Sequence, residues 1–116
     1  METTRMNDYE RDVLVPLVCD MLTQAGGLPL SSMRIAESIR RTGHAASTRQ
    51  VRRVINHIRV HGIIPCVASS PKGFFVASNE IEMSECIGTL ESLADAIQEV
   101  IEALRGQMYN KFGFRL

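Results

Sequence analysis

Cysteine is scarce in this chain and carries no pattern. Cys19, Cys66 and Cys86 are an odd set with no Cys-x-x-Cys pair and no Cys/His ligand spacing, which points to neither a disulfide framework nor a zinc site. They read as small apolar residues of a reducing compartment. No apolar run approaches the roughly 18 to 20 residues that cross a bilayer. The start, Met1 to Asp8, lacks the apolar centre of a secretory signal. A soluble, cytoplasmic protein without a membrane partner is the expectation. Gly-rich phosphate loops are missing too, Gly26-Gly27 being an isolated pair, and serines cluster only at helix caps and a turn. With no catalytic constellation, the sequence predicts no enzyme, no cofactor, no metal and no small-molecule substrate.

What remains is one ordinary domain's worth of chain, 116 residues with 45% hydrophobic and 22% charged side chains, enough to bury a core. The thirteen basic and thirteen acidic residues cancel, but not locally. Between Arg34 and His61 lie seven arginines (Arg34, Arg40, Arg41, Arg49, Arg52, Arg53, Arg59) against the single acid Glu37. From Glu80 to Arg105 the balance inverts, with seven acids against Arg105 alone, and residues 1 to 25 add five acids against two arginines. Because screening confines each charge to roughly 10 Å, the basic centre and not the net zero decides what docks there. The use of arginine without lysine in that stretch suits bidentate contact with phosphates and guanine edges.

Apolar spacing predicts the elements. Val13, Leu14, Leu17, Val18, Met21 and Leu22 form one stripe of a first helix over 7–25 ended by Gly26-Gly27. Either the regular helix starts near Val15 with Pro16 in its first turn or it is kinked at Pro16, and a kink or a broken start is the favoured reading. Leu28-Pro29-Leu30 reads as a short extended segment, and Ser31 or Ser32 caps a second helix to Arg41 that buries Met33, Ile35 or Ala36, and Ile39. Ser47 and Thr48 offer the cap of a third helix to His61, with Val51, Val54, Ile55 and Ile58 inward and Gly62 as its stop. Its other face carries Arg49, Arg52, Arg53, Asn56 and Arg59 with no acid interleaved. Strands over 63–68 and 74–78, joined by a turn over 69–73, predict a hairpin. Asn79 then caps a long helix to about Gly106 whose Met83, Ile87, Leu90, Ala94, Ile97, Ile101, Leu104 and Met108 alternate steps of four and three, an unbroken heptad seam widened by Leu93 and Val100.

The fold class is therefore mainly α with a small β element (α+β). The order of three helices, a short strand between the first two, and a hairpin resembles a winged helix-turn-helix domain. Leu28-Pro-Leu-Ser-Ser matches the first strand and cap, Ser47 to Arg59 the recognition helix, and Ile64 to Ala77 the wing. The phrase from Val51 to Asn79, running into a heptad helix, is similar to small phage and prophage winged-helix proteins. The resemblance covers residues 28–104. It implies double-stranded DNA as partner, with the third helix in the major groove and the wing beside the backbone. Carried onto these positions, it implies base-edge and phosphate contacts from Arg49, Arg52, Arg53 and Asn56, joined by Gln50. Phosphate contacts fall to Arg59, to Lys72 at the wing tip, and to Ser47 and Thr48 at the helix start.

Three segments are expected: residues 1–79 as the DNA-binding domain, 80–108 as a dimerisation helix, and 109–116 as a tail. The heptad seam can pack on the first helix, on a second copy, or on both. Helix one is too short to cover all of it, so Ile87, Leu90, Ala94, Ile97, Ile101 and Leu104 are expected to pair with a second copy. His57 and His61 have a zinc-compatible spacing but no third ligand, and read as a surface or DNA-contacting pair. The expected function is sequence-specific DNA binding by a homodimer, as a transcriptional regulator or a replication or recombination accessory factor. A winged helix that docks on protein instead of DNA is the alternative.

Overall fold

A computed structural model of the chain describes residues 5–113. It contains helices α1 (Val15–Gln24), α2 (Ser32–Arg41), α3 (Thr48–His61) and α4 (Glu80–Phe112), and strands β1 (Val67–Ser70) and β2 (Gly73–Val76). The chain divides into two compact units, residues 1–83 and 84–116.

The first helical segment begins at a reciprocal pair: Asn7 Oδ1 accepts from the Glu10 amide at 2.8 Å, and the Asn7 amide donates to Glu10 Oε1 at 3.1 Å. A π-helical turn, Glu10–Leu14, then leads into α1, with Pro16 in the first turn of α1. The regular helix thus starts at Val15 with proline in its first turn, and the favoured break is replaced by a widened turn before it. Proline has no amide for Asp12, and its ring would crowd that carbonyl. Widening the preceding turn, with the Val15 amide donating to the Glu10 carbonyl, lets the helix run on.

Helix α2 is capped by Ser31, whose Oγ accepts from the Arg34 amide at 3.1 Å. Ile35, Ala36 and Ile39 are all buried, but Met33 is 61% exposed, a correction to its expected burial. At about 100° per residue, Met33 lies outside the arc shared by the other three. Helix α3 has a full capping box between Ser47 and Gln50, and ends on Gly62 in the left-handed region with the Ile63 amide reaching back to Ile58 O at 3.1 Å. The core is one cluster in which Leu14, Val18 and Leu22 meet Ile35 and Ile39, closed by Val51, Val54, Ile55 and Ile58.

The hairpin starts later than its apolar residues suggested. Ile63 to Cys66 form a turn, and β1 begins at Val67, pairing antiparallel with Val76. Pro65 cannot donate to a ladder, and Cys66 takes a φ of +64°, which re-aims the chain before the first strand pair. A two-residue turn, Pro71-Lys72, joins the strands. Pro71 excludes the primed turns that need positive φ at that position, so the strain of closing the hairpin passes to Gly73 at φ +136°. Leu30 and Phe74 exchange both backbone hydrogen bonds at 2.8 Å, which fastens the segment before α2 to β2. A Cβ on residue 73 would lie 2.4 Å from the Leu30 carbonyl carbon, so this junction admits only glycine.

Helix α4 starts on Asn79, whose Oδ1 accepts from the Glu82 amide at 2.9 Å. It continues past Gly106 to Phe112, so residues 109–112 are helical and not a separate tail. Residues 114–116 of that expected tail lie outside the described residues.

Candidate nucleic-acid interface

The loop that aims α3 is held from two sides. Tyr9 donates its hydroxyl to Ala45 O at 2.6 Å, and Arg40 Nη1 donates to Ala46 O at 2.7 Å. Consecutive carbonyls are thus fixed just before the Ser47 cap, which sets the direction of the helix relative to α2. Arg52 adds a further tie, donating from Nε to Ser32 Oγ at 3.2 Å.

Of the nine residues expected at this interface, the structure presents some outward and turns others to different work. Arg49, Arg52 and Asn56 are exposed along the face of α3 opposite Val51, Val54, Ile55 and Ile58. Val60, 67% exposed, continues that face by one turn. Thr48 is half-buried at the helix start, and Lys72 is exposed at the hairpin tip. Ser47 and Gln50 are committed to the capping box, Ser47 Oγ accepting from the Gln50 amide at 3.1 Å and Gln50 Oε1 accepting from the Ser47 amide at 3.0 Å.

Arg53 is turned toward another helix. Its Nη1 donates to both oxygens of Glu10, at 2.9 and 3.2 Å, and the Glu10 side chain is 1% exposed. The expectation that no acid satisfies this face thus fails at one position, because the acid comes from another helix. A buried carboxylate requires a charge partner and hydrogen bonds, and Arg53 is that partner. Sequence reasoning missed Glu10, although a signal existed. Glu10, Leu14, Val18 and Leu22 recur every four residues, which places a carboxylate on a core stripe.

Arg59 is likewise engaged within the chain. Its Nε donates to Val67 O at 2.9 Å, and its guanidinium carbon lies 5.7 Å from the centre of the Phe74 ring. It binds the hairpin to α3. Any contribution of the hairpin to a ligand is therefore positioned by α3 itself. On α2, Arg34 and Arg41 are exposed beside Met33, Glu37 and Ser38, around a shallow polar depression.

The His57 and His61 rings lie with centres 4.3 Å apart, tilted 48° to one another. Partial burial, and then the nearness of His61, push the His57 pKa below the ordinary histidine value. Among the described residues no group of three His, Cys, Asp or Glu side chains could hold a metal ion.

The heptad residues of α4 form a second candidate surface. Ile87 is 49% exposed, Leu90 45%, Ile97 60%, Ile101 37% and Leu104 56%, and Ala94 is exposed between them. Contiguous exposed apolar side chains of this kind are characteristic of interaction surfaces. Among the described residues, no helix is long and apolar enough to cross a membrane. Comparisons with protein-family models, curated proteins and solved structures find no match to this chain.

Proposed function

We propose that the chain is a sequence-specific double-stranded DNA-binding protein of winged-helix type that works as a homodimer. The observation that carries this reading is the outward face of α3, where Arg49, Arg52 and Asn56 stand exposed on a helix whose start is capped and whose direction is pinned. In the major groove, Arg49 and Arg52 serve guanine edges or phosphates and Asn56 serves adenine. Thr48 and the amides of the first turn meet a phosphate, and Lys72 meets the backbone from the hairpin tip. Arg53 and Arg59 shape this surface without touching DNA. Arg34 and Arg41 on α2 extend the positive field to the flanking phosphates.

The dimer is supported by the exposed heptad stripe of α4, and two copies would offer two recognition helices to a two-fold-related site. A transcriptional regulator and a replication or recombination accessory factor both fit this chemistry. The test is selection from a randomised duplex pool. The account expects a recurrent site, with Asn56→Ala relaxing preference at one base position and Arg52→Ala weakening all sequences. Enrichment of no sequence would refute specificity.

One observation favours the protein-docking reading: the net charge is zero, so attraction to a polyanion rests on the local basic surface of α2, α3 and the hairpin tip. Absence of any duplex binding at low salt would select it.

A further inference from the structure

The proposed dimer leaves open which way its two long helices run. The apolar stripe of α4 is lopsided. With Ile87, Ala94 and Ile101 at the a positions and Leu90, Ile97 and Leu104 at d, the g flank carries Leu93 and Val100, which are 55% and 58% exposed. The e flank carries Ser84, Glu91, Gln98 and Arg105. In a parallel pair each edge of the seam sets a g residue against an e residue, so Leu93 would face Gln98 and Val100 would face Arg105 on both sides. In an antiparallel pair like flanks meet. The register that uses the whole seam sets Ile87 on the second copy's Leu104, Leu90 on its Ile101, and Ala94 on its Ile97. It also joins Leu93 to the second copy's Val100 along one edge and leaves the polar e residues together on the other.

Charge along the helix favours the same direction. The first turn of α4 holds Glu80 and Glu82, and the last turn holds Lys111. All seven acids of the helix precede Arg105. A parallel pair would stack those acids on their counterparts, whereas the antiparallel register sets Glu80 opposite the second copy's Lys111. It also opposes the two helix dipoles.

We infer that α4 is an antiparallel self-association surface, two copies pairing in the register Ile87 to Leu104. This rests on the dimer of the proposed function and adds its geometry. The two starts of the seam, at Met83, then lie about 37 Å apart along the pair at about 1.5 Å per residue. A parallel pair would set them side by side.

The experiment is a distance measurement between nitroxide labels in the full-length dimer. The three native cysteines are replaced (Cys19→Ala, Cys66→Gly, Cys86→Ala), helicity is checked, and a label is attached through Glu85→Cys or, separately, Glu99→Cys. Both glutamates are exposed and lie off the seam. The antiparallel register separates the two Glu85 positions by about 32 Å along the axis and the two Glu99 positions by about 10 Å. The expected result is a label distance longer at 85 than at 99 by on the order of 10 Å. Equal distances at both sites would overturn the orientation while leaving the dimer. No dipolar coupling at either site, with a one-chain mass by light scattering, would overturn the self-association itself. Duplex binding by the same labelled proteins reports separately whether the DNA-binding reading stands.

Discussion

Replacing Arg53 with methionine isolates the structural part of the arginine face from its binding part. The substitution keeps much of the aliphatic stem and removes the guanidinium that gives Glu10 its bonds at 2.9 and 3.2 Å. Glu10 is left 1% exposed, with the Asn7 amide as its remaining hydrogen bond. Stranding one member of a buried pair costs about 3–5 kcal/mol. Arg53 is itself 30% exposed, so water already weakens the pair and the expected cost falls to about 2–3 kcal/mol. For a folding unit of 83 residues this lowers the thermal midpoint by roughly 10–20 °C. The assay is far-UV circular dichroism on heating, at one fixed chain concentration so that the proposed self-association would not shift the midpoint between samples. The double variant Glu10→Met with Arg53→Met removes both charges and is expected to recover most of the loss. A drop under about 3 °C in the single variant, together with a loss of duplex affinity, would refute the reasoning and return Arg53 to the contact surface.

Three further outcomes follow from named contacts. Gly73→Ala drives a Cβ to 2.4 Å from the Leu30 carbonyl carbon and strains a φ of +136°, so it should destabilise the 1–83 unit by about 2–3 kcal/mol in urea titration. A neutral result would mean that β2 is free to leave the Leu30 segment. Ser47→Ala deletes the acceptor for the Gln50 amide and should cost about 1 kcal/mol; a change near zero would show that the capping box does not set the start of α3. Glu82 accepts from both the amide and the hydroxyl of Ser78, and these bonds hold its carboxyl below the ordinary value of 4.5. Its contribution is thus present above pH 4.5 and lost as pH falls through the lower folded value. The difference in thermal midpoint between the native chain and Glu82→Gln should shrink on acidification from pH 6 toward pH 3, and a difference independent of pH would contradict the assignment.

Much of the fold was legible because local rules act at short range. The inward stripe of α3, the stop at Gly62, the cap at Asn79 and the extended Leu28 to Leu30 segment all follow from spacing and turn chemistry. The helical start around Pro16 was half legible: spacing shows the stripe and proline shows trouble, but whether the helix breaks or widens depends on packing. The hairpin onset was missed because Ile63 and Ile64 look like strand, while the left-handed Cys66 has no marker in a residue type that seldom takes that conformation. The interface was legible as a face and not as a set of roles. Exposure of Arg49, Arg52 and Asn56 follows from helical phase alone. The diversion of Arg53 depends on Glu10, 43 residues away, and that of Arg59 on Val67 and Phe74, which approach only once the hairpin packs.

The central claim is that the exposed face of α3 binds duplex DNA through Arg49 and Arg52. Its most direct test is the affinity for a mixed duplex pool, by fluorescence anisotropy, across a range of salt concentrations for the native chain, Arg49→Ala and Arg52→Ala. The account predicts an affinity that falls steeply and linearly on a log–log plot against salt. Each variant that removes a phosphate contact should bind more weakly and reduce the slope by about 0.9. A native chain with no measurable binding at low salt, or variants indistinguishable from it, would contradict the account.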